Sequence, residues 1–352
     1  MLDFRTMRYH LDFRPYSRHF SEPTPLGQAQ ALERAGIIVR LTDTSSGSVG
    51  YGEVAPLESF GSESLDGALQ QLRSFCGIIS SDDITQLVLT GFPCCGFALS
   101  EALLQSRIAA VARALETKKP PIDKVPCAAL LSGSAADPAV EIARLATLGY
   151  RSCKIKLRAR RPEQFPIPPE TLLSAARANN IRIRFDANES LSVSDAREWL
   201  DILSNDPDSV EFLEQPLDRM MIDEMRELAE DYPIPIALDE SLGALRLSIL
   251  KKESMDLDQF LWVIKPALGD TFLAELASIP QDKRIVSSVF ETAIGFEAVL
   301  RHAKDSVIPA GLGTLDAFAP DPWKLHTAGP FIHRIGWTRL PYDKLWRSVK
   351  QH

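Results

Sequence analysis

The chain has 352 residues, enough for one β/α barrel of about 250 residues and a smaller domain of about 100. Its 45% hydrophobic and 24% charged content suits a globular protein with a large core. A formal net charge of −8 and a pI near 5.4 argue against nucleic acid or an anionic membrane surface as partner, and no apolar run approaches the roughly 18–20 residues of a membrane span.

The opening "MLDFRTMRYHLDFRPYS" lacks the central apolar stretch of a secretory signal and reads as a first strand, so a cytoplasmic location is expected. "MRYHLDF" and "AGIIVRLTD" are strand-like, and "SSGSVGYGEVAPL" reads as a Gly/Ser turn leading into a third strand. Residues 14–34 between the first two are rich in Pro, Ser and charge, and are expected to form a long functional loop. "LDGALQQLRSFCGII" has helical periodicity, and so does "CCGFALSEALLQSRIAAVARALE", with Leu104, Ile108, Val111 and Leu115 on one face. "TKKPPIDK" breaks that helix and predicts a boundary, giving an α+β domain over 1–120. The cysteines Cys76, Cys94, Cys95, Cys127 and Cys153 are odd in number and show no zinc spacing. Cys94 and Cys95 read as a buried pair of small hydrophobes. The histidines form no ligand pattern.

From Val125 the chain alternates. The strand candidates are "VPCAALL", "SCKIKL", "IRIRFDA", "SVEFLEQ", "IPIALDE", "FLWVIKP", "RIVSSVF" and "DSVIPAG", with helical segments between most of them. Ser194 or Asp195 is expected to open one helix and Gly149 to close another. Eight strands with intervening helices, and no GxGxxG after the first, favour a parallel (β/α) barrel over 121–315 rather than an open dinucleotide-binding sheet. The Pro- and Trp-rich segment 316–352 is expected to pack back on the first domain.

Charged residues stand at the ends of these apolar runs, where a barrel carries its chemistry. Asp186, Glu214 and Asp239 are 28 and 25 residues apart (214 − 186 and 239 − 214), one β/α unit per step, on the third to fifth strands. Three converging carboxylates repel one another unless a cation neutralises them, and an all-oxygen set favours Mg²⁺. Lys154 and Lys156 alternate with Ile155, so both point into the barrel if Ile155 packs outward. Lys265 ends the sixth strand, across the barrel from the second. Taken singly, each of these residues also has a plain structural reading: a helix cap, a solvated charge, a surface lysine. Together they suit removal of a proton α to a carboxylate, with a metal and an ammonium stabilising the enediolate. A lysine base beside a Mg²⁺-stabilised enediolate is the pattern of the enolase superfamily.

The sequence resembles that superfamily, and more narrowly its o-succinylbenzoate synthases, over nearly the whole chain. "YGEVAPL" (Gly52 to Leu57 within it) is similar to the capping-domain motif, and "KIKL", "FDAN", "FLEQPL", "ALDES" and "VIKP" to the barrel motifs. "SSVFETAIG" and "GLGTLDAF" are similar to the seventh and eighth strand ends. The resemblance implies a (β/α)7β-type modified TIM barrel under an α+β capping domain whose loop near 14–34 covers the substrate. It implies Mg²⁺ at Asp186, Glu214 and Asp239, and a small-molecule carboxylate as substrate. Lys156 would move the protons, Lys265 would stabilise the enediolate, and Lys154 would help hold the carboxylate. Asn188, Ser288, Gly311 and Gly313 would contact substrate. The implied reaction is dehydration of 2-succinyl-6-hydroxy-2,4-cyclohexadiene-1-carboxylate to 2-succinylbenzoate, in menaquinone or phylloquinone biosynthesis. Dipeptide epimerases and N-acylamino acid racemases share the lysines and carboxylates, so racemisation or epimerisation stays open as the alternative. The neutral Gly311-Leu312-Gly313-Thr314 differs from the acidic pair of the epimerases.

Overall fold

The computed structural model describes the chain except for residues 1–7, 27–28, 116–123, 132–136, 158, 244, 246–257, 270–278, 322, 324–328, 334–340 and 350–352. The expected boundary at "TKKPPIDK" therefore lies almost wholly outside the described residues. Among them, no helix is long and apolar enough to cross a membrane.

Four strands near the N-terminus, β1 (Arg8–Leu26), β2 (Ala29–Asp43), β3 (Val49–Val54) and β4 (Ile78–Ser80), form an antiparallel sheet in the order β3-β2-β1-β4. The expected loop at 14–34 is instead the outer part of a long hairpin. Pairing runs from Tyr9 opposite Asp43 to Leu26 opposite Ala29, with a register shift between His19 and Thr24. Two of its arginines and one aromatic ring have partners that are distant in sequence. Arg14 donates to the carbonyls of Trp346 and Val349, Arg18 forms an ion pair with Asp321, and Phe20 stacks on Phe318. Tyr51 likewise stacks on Tyr342, and Leu345, Trp346 and Val349 share a core cluster with Ile38 and Tyr51 of this sheet.

The helices α1 (Leu65–Ser74), α2 (Ser81–Leu89) and α3 (Pro93–Leu115) complete this region. In α3, Leu104 and Ile108 lie on the outer side, each 42% exposed, whereas Phe97, Leu99 and Leu103 are buried. Where β3 crosses the helix, Ala98 and Ala102 meet it, because the strand lies almost on the helix backbone. A Cβ on Gly50 or Gly52 would come within 1.8 Å of the Ala102 oxygen and 1.9 Å of the Ala98 oxygen. Cys94 and Cys95 are buried in this seam as free thiols, as their hydrophobic reading anticipates.

The second sheet is parallel and seven-stranded, in consecutive order from β6 (Ala129–Leu130) through β7 (Ser152–Lys156), β8 (Arg182–Asp186), β9 (Val210–Glu214), β10 (Ile236–Leu238) and β11 (Leu261–Ile264) to β12 (Arg284–Val286). The eighth expected strand, "DSVIPAG", is reduced to a short stave. Ala310 bridges Cys127 and Gly311 bridges Ser287, which joins the two edges of the sheet and closes the barrel. The first candidate, "VPCAALL", is split, since β5 (Lys124–Pro126) pairs with β13 (Phe331–His333) outside the barrel.

Strand alternation sorts the side chains. Ile155, Phe185, Leu213, Leu238 and Ile264 face the helices, while Phe212, Ala237, Val263 and Ile285 fill the barrel interior. Helices α4 (Pro138–Thr147), α5 (Pro169–Asn179), α6 (Val193–Leu203) and α7 (Ile222–Asp231) pack outside. Gly149 follows α4 at φ 94°, as expected of a helix stop. The cap of α6 is Ser192 rather than Ser194 or Asp195; Asp195 closes the capping box from the third helical position.

Candidate active site

Side chains from the strand ends converge on one cavity of about 180 Å³ at the C-terminal mouth of the barrel. Lys154, Lys156, Asp186, Asn188, Asp239, Lys265, Ser288, Gly311 and Gly313 all line it, so nine of the ten residues singled out from sequence share one wall system. Glu214 sits just behind, 2% exposed, and reaches the site through Lys154.

The two β7 lysines enter together because Ile155 between them is packed outward in the core. The Lys154 ammonium stands 2.7 Å from Asp186 and 2.8 Å from Glu214. Burial works against its charge, but these two carboxylates outweigh burial and hold its pKa above the usual lysine range. Asp186 and Glu214 lie side by side in the register of β8 and β9. Asp239, just past β10, forms its ion pair with Lys265. Lys265 also lies under the capping domain, its ammonium 4.4 Å from the centre of the Phe60 ring.

The barrel loops are held in tight conformations. Gln215 follows Glu214 at φ 39°, and its side-chain amide accepts from the backbone of Asp239 and Ser241 and donates to Ser241 and Leu217. Asn188 at φ 44° donates its backbone N–H to Asp186 and its side chain to Glu240. These bonds fix one carboxylate-bearing strand end relative to the next.

Several residues of the site carry little sequence signal. Glu240 lines the cavity beside Asp239, and Leu26, Leu57 and Phe60 line it from the capping domain. Thr314 shares a hydrogen bond of 2.7 Å with Ser288 on the eighth-stave side. Arg184, deep in the barrel, is bound to Glu211 and the Pro309 carbonyl. A strand-end acid pair, "LDES", is a weak pointer to Glu240, whereas the apolar contributors from the capping domain are read only from the fold.

Among the described residues the acids do not close into a ready-made cluster of three metal ligands; ammonium groups stand among them instead. The donor set nevertheless fits a hard divalent cation. Burial, then the charges of Asp186 and Glu214, push the Glu240 carboxyl up to about 7, so these acids crowd one another. Among the described residues, one buried oxygen of Glu240 has no hydrogen-bond partner. All-carboxylate oxygen donors in a site with surplus negative charge suit Mg²⁺ rather than zinc.

The family models agree with this architecture. The "Enolase C-terminal domain-like" family matches residues 138–247, and "MenC, N-terminal domain" matches residues 15–106. The closed barrel with its capping sheet is thus that of an enolase-superfamily enzyme. The o-succinylbenzoate synthase of Thermosynechococcus vestitus is 30% identical over 96% of this chain and 99% of its own. The chain belongs to the o-succinylbenzoate synthase family. A crystal structure of o-succinylbenzoate synthase from Thermosynechococcus elongatus, complexed with Mg in its active site, superimposes with a TM-score of 0.74 at 25% identity, covering 96% of this chain and 99% of that one. The L-Ala-D/L-Glu epimerase of Bacillus subtilis shares the fold, with a TM-score of 0.66 at 18% identity over 93% and 96% of the two chains.

Proposed function

We propose that this protein is a Mg²⁺-dependent hydro-lyase converting 2-succinyl-6-hydroxy-2,4-cyclohexadiene-1-carboxylate to 2-succinylbenzoate, in the cytoplasm and in menaquinone or phylloquinone biosynthesis. The observation that carries this reading is a single cavity with Lys156 on one wall and Lys265 on the opposite one, in a chain matching an o-succinylbenzoate synthase end to end. Asp186, Glu214 and Asp239 would hold the metal. When bound, Mg²⁺ supplies a Lewis acid for the substrate carboxylate and stabilises negative charge developing on it.

In this reading Lys156 takes the proton from the carbon bearing the carboxylate, leaving an enediolate. The ring hydroxyl then departs with its bonding electrons and collects that same proton from Lys156, so one water leaves and the ring becomes aromatic. Lys265 keeps its proton and stabilises the enediolate from the far wall. Lys154 balances the carboxylates and helps hold the substrate's acid group. Asn188, Ser288, Gly311 and Gly313 would shape the remainder of the substrate site.

The epimerase alternative would need a partner for the amino group of a dipeptide on the eighth-stave wall. Gly311, Gly313 and Thr314 supply that wall and carry no charge. The chain would divide near residues 120 and 315 into capping domain, barrel and returning C-terminal segment; in support, the two family models fall on either side of the first division. Supplying the cyclohexadiene with Mg²⁺ and following its absorbance tests the reaction. Absence of turnover above background contradicts it.

A further inference from the structure

Arg219 lies five residues beyond Glu214 (219 − 214), is 26% exposed, and does not line the cavity. All three nitrogens of its guanidinium are engaged. Nε and Nη2 donate to Glu189 at 2.8 and 2.6 Å, and Nη1 donates to the backbone carbonyl of Ser59 at 2.6 Å. Its own backbone N–H also donates to Glu189, at 2.9 Å, and its carbonyl accepts from the Ser241 hydroxyl at 3.1 Å. Glu189 follows Asp186 in a left-handed conformation, φ 63°, and its N–H donates to the Gln215 carbonyl. The loops after the strands of Asp186, Glu214 and Asp239 therefore meet at one arginine, which then reaches across to the capping domain.

What it grips there is the turn Glu58–Phe60. Leu57 and Phe60 on either side of Ser59 line the cavity, and Phe60 covers Lys265. The turn is seated closely on the barrel: a Cβ on Gly243 would fall 2.3 Å from the Phe60 carbonyl oxygen. We infer that Arg219 is a positioning residue, clamping segment 57–61 to the barrel so that Leu57 and Phe60 close the cavity over bound substrate. As a statement about catalysis, this rests on the proposed dehydration. A planar, doubly bound guanidinium suits the task, because it holds Glu189 with one edge and the carbonyl with the other; a lysine has no second arm.

The test compares the full-length wild type with Arg219→Ala and Arg219→Lys in Mg²⁺, by amide hydrogen exchange, steady-state kinetics and calorimetric binding of 2-succinylbenzoate. Faster exchange in 57–61 is expected in both variants, since the Phe60 and Gly61 amides are protected by 2.9 Å bonds within the turn. KM should rise by roughly tenfold or more, kcat should change by less than about threefold, and product affinity should fall with KM. Arg219→Lys keeps the charge beside Glu189 and should melt near the wild-type temperature, which separates loss of the clamp from loss of the fold. Wild-type exchange at 57–61 in both variants overturns the inference, as does faster exchange with KM unchanged. A wild type that neither turns over nor binds 2-succinylbenzoate counts against the proposed reaction instead, and the exchange comparison still decides whether Arg219 holds the turn.

Discussion

Lys154 and Asp186 form an ion pair at 2.7 Å between neighbouring barrel strands, with the ammonium also serving Glu214. One lysine thus offsets part of the charge of the two carboxylates that would also hold the metal. Lys154→Met should leave those acids repelling each other, which destabilises the metal-free protein by about 3 kcal/mol, the lower end for breaking a buried pair because Lys154 is 25% exposed. Removing a nearby positive charge also strengthens cation binding. The rise in melting temperature on adding Mg²⁺ should therefore be larger for Lys154→Met than for the wild type, as thermal scans in EDTA and in Mg²⁺ will measure. Equal shifts in the two proteins would separate Lys154 from the metal site.

The two opposed lysines should be unequal. Lys156→Ala should lose dehydration entirely, since one group moves the proton both ways. Lys265→Ala should lose about 10²–10⁴ in rate, and Lys265→Arg, which keeps the charge, should retain more. Both Lys265 variants should fail at 1,1-proton transfer, so neither should racemise N-succinyl amino acids, read by polarimetry. Equal dehydration rates for the Arg and Ala variants would show that Lys265 does more than supply charge.

Glu291 gives a pH dependence with a defined sign. It is fully buried behind the cavity loop, and burial, then the charge of Glu53, push its carboxyl from 4.5 up to about 7. Glu53 itself accepts from Tyr16, Thr292 and the Gly295 N–H, and Arg34 lies close by on the carbonyls of Ala55, Pro56 and Val289. The folded protein binds the Glu291 proton more tightly than the unfolded chain. That contribution to stability is complete below about pH 4.5 and is lost as pH rises through about 7. Glu291→Gln removes the titration, so its melting temperature should gain on the wild type between pH 5 and pH 8. A difference that stays constant across that range would contradict the buried proton.

Gly52 tests the seam between β3 and α3. Its absent side chain lets the strand lie on the Ala98 carbonyl, where a Cβ would stand at 1.9 Å. Gly52→Ala should cost about 3 kcal/mol or more by denaturant unfolding, because the obstacle is backbone and cannot move aside. Gly313→Ala, with nothing within 4 Å of its Cβ, should be close to neutral in stability.

The charged wall of the cavity is legible in the sequence because a parallel barrel puts its charged groups at one point of each repeat. Apolar runs ending in Lys156, Asp186, Glu214, Asp239 and Lys265 gave strand order and site together. The hairpin at 14–34 is not legible in the sequence, since Arg14 and Arg18 find their partners more than 300 positions away, as with Arg18 and Asp321. In helix α3, Leu104 and Ile108 face outward while Ala98 and Ala102 meet the glycine-lined strand β3, because small residues are needed where backbones touch. The sequence assigns Arg34, Glu53 and Glu291 no partners, and only the fold supplies the carbonyls, amides and hydroxyls that keep Arg34 and Glu53 buried.

The central claim is that this cavity dehydrates the cyclohexadiene carboxylate with Lys156 as its base and a divalent metal on its acids. The most direct measurement is the loss of substrate absorbance with purified protein in Mg²⁺, in EDTA, and in Mg²⁺ with Lys156→Ala. Turnover is expected with Mg²⁺, none in EDTA, recovery when Mg²⁺ is restored, and none for Lys156→Ala. Dehydration that persists in Lys156→Ala, or that does not respond to the metal, would contradict it.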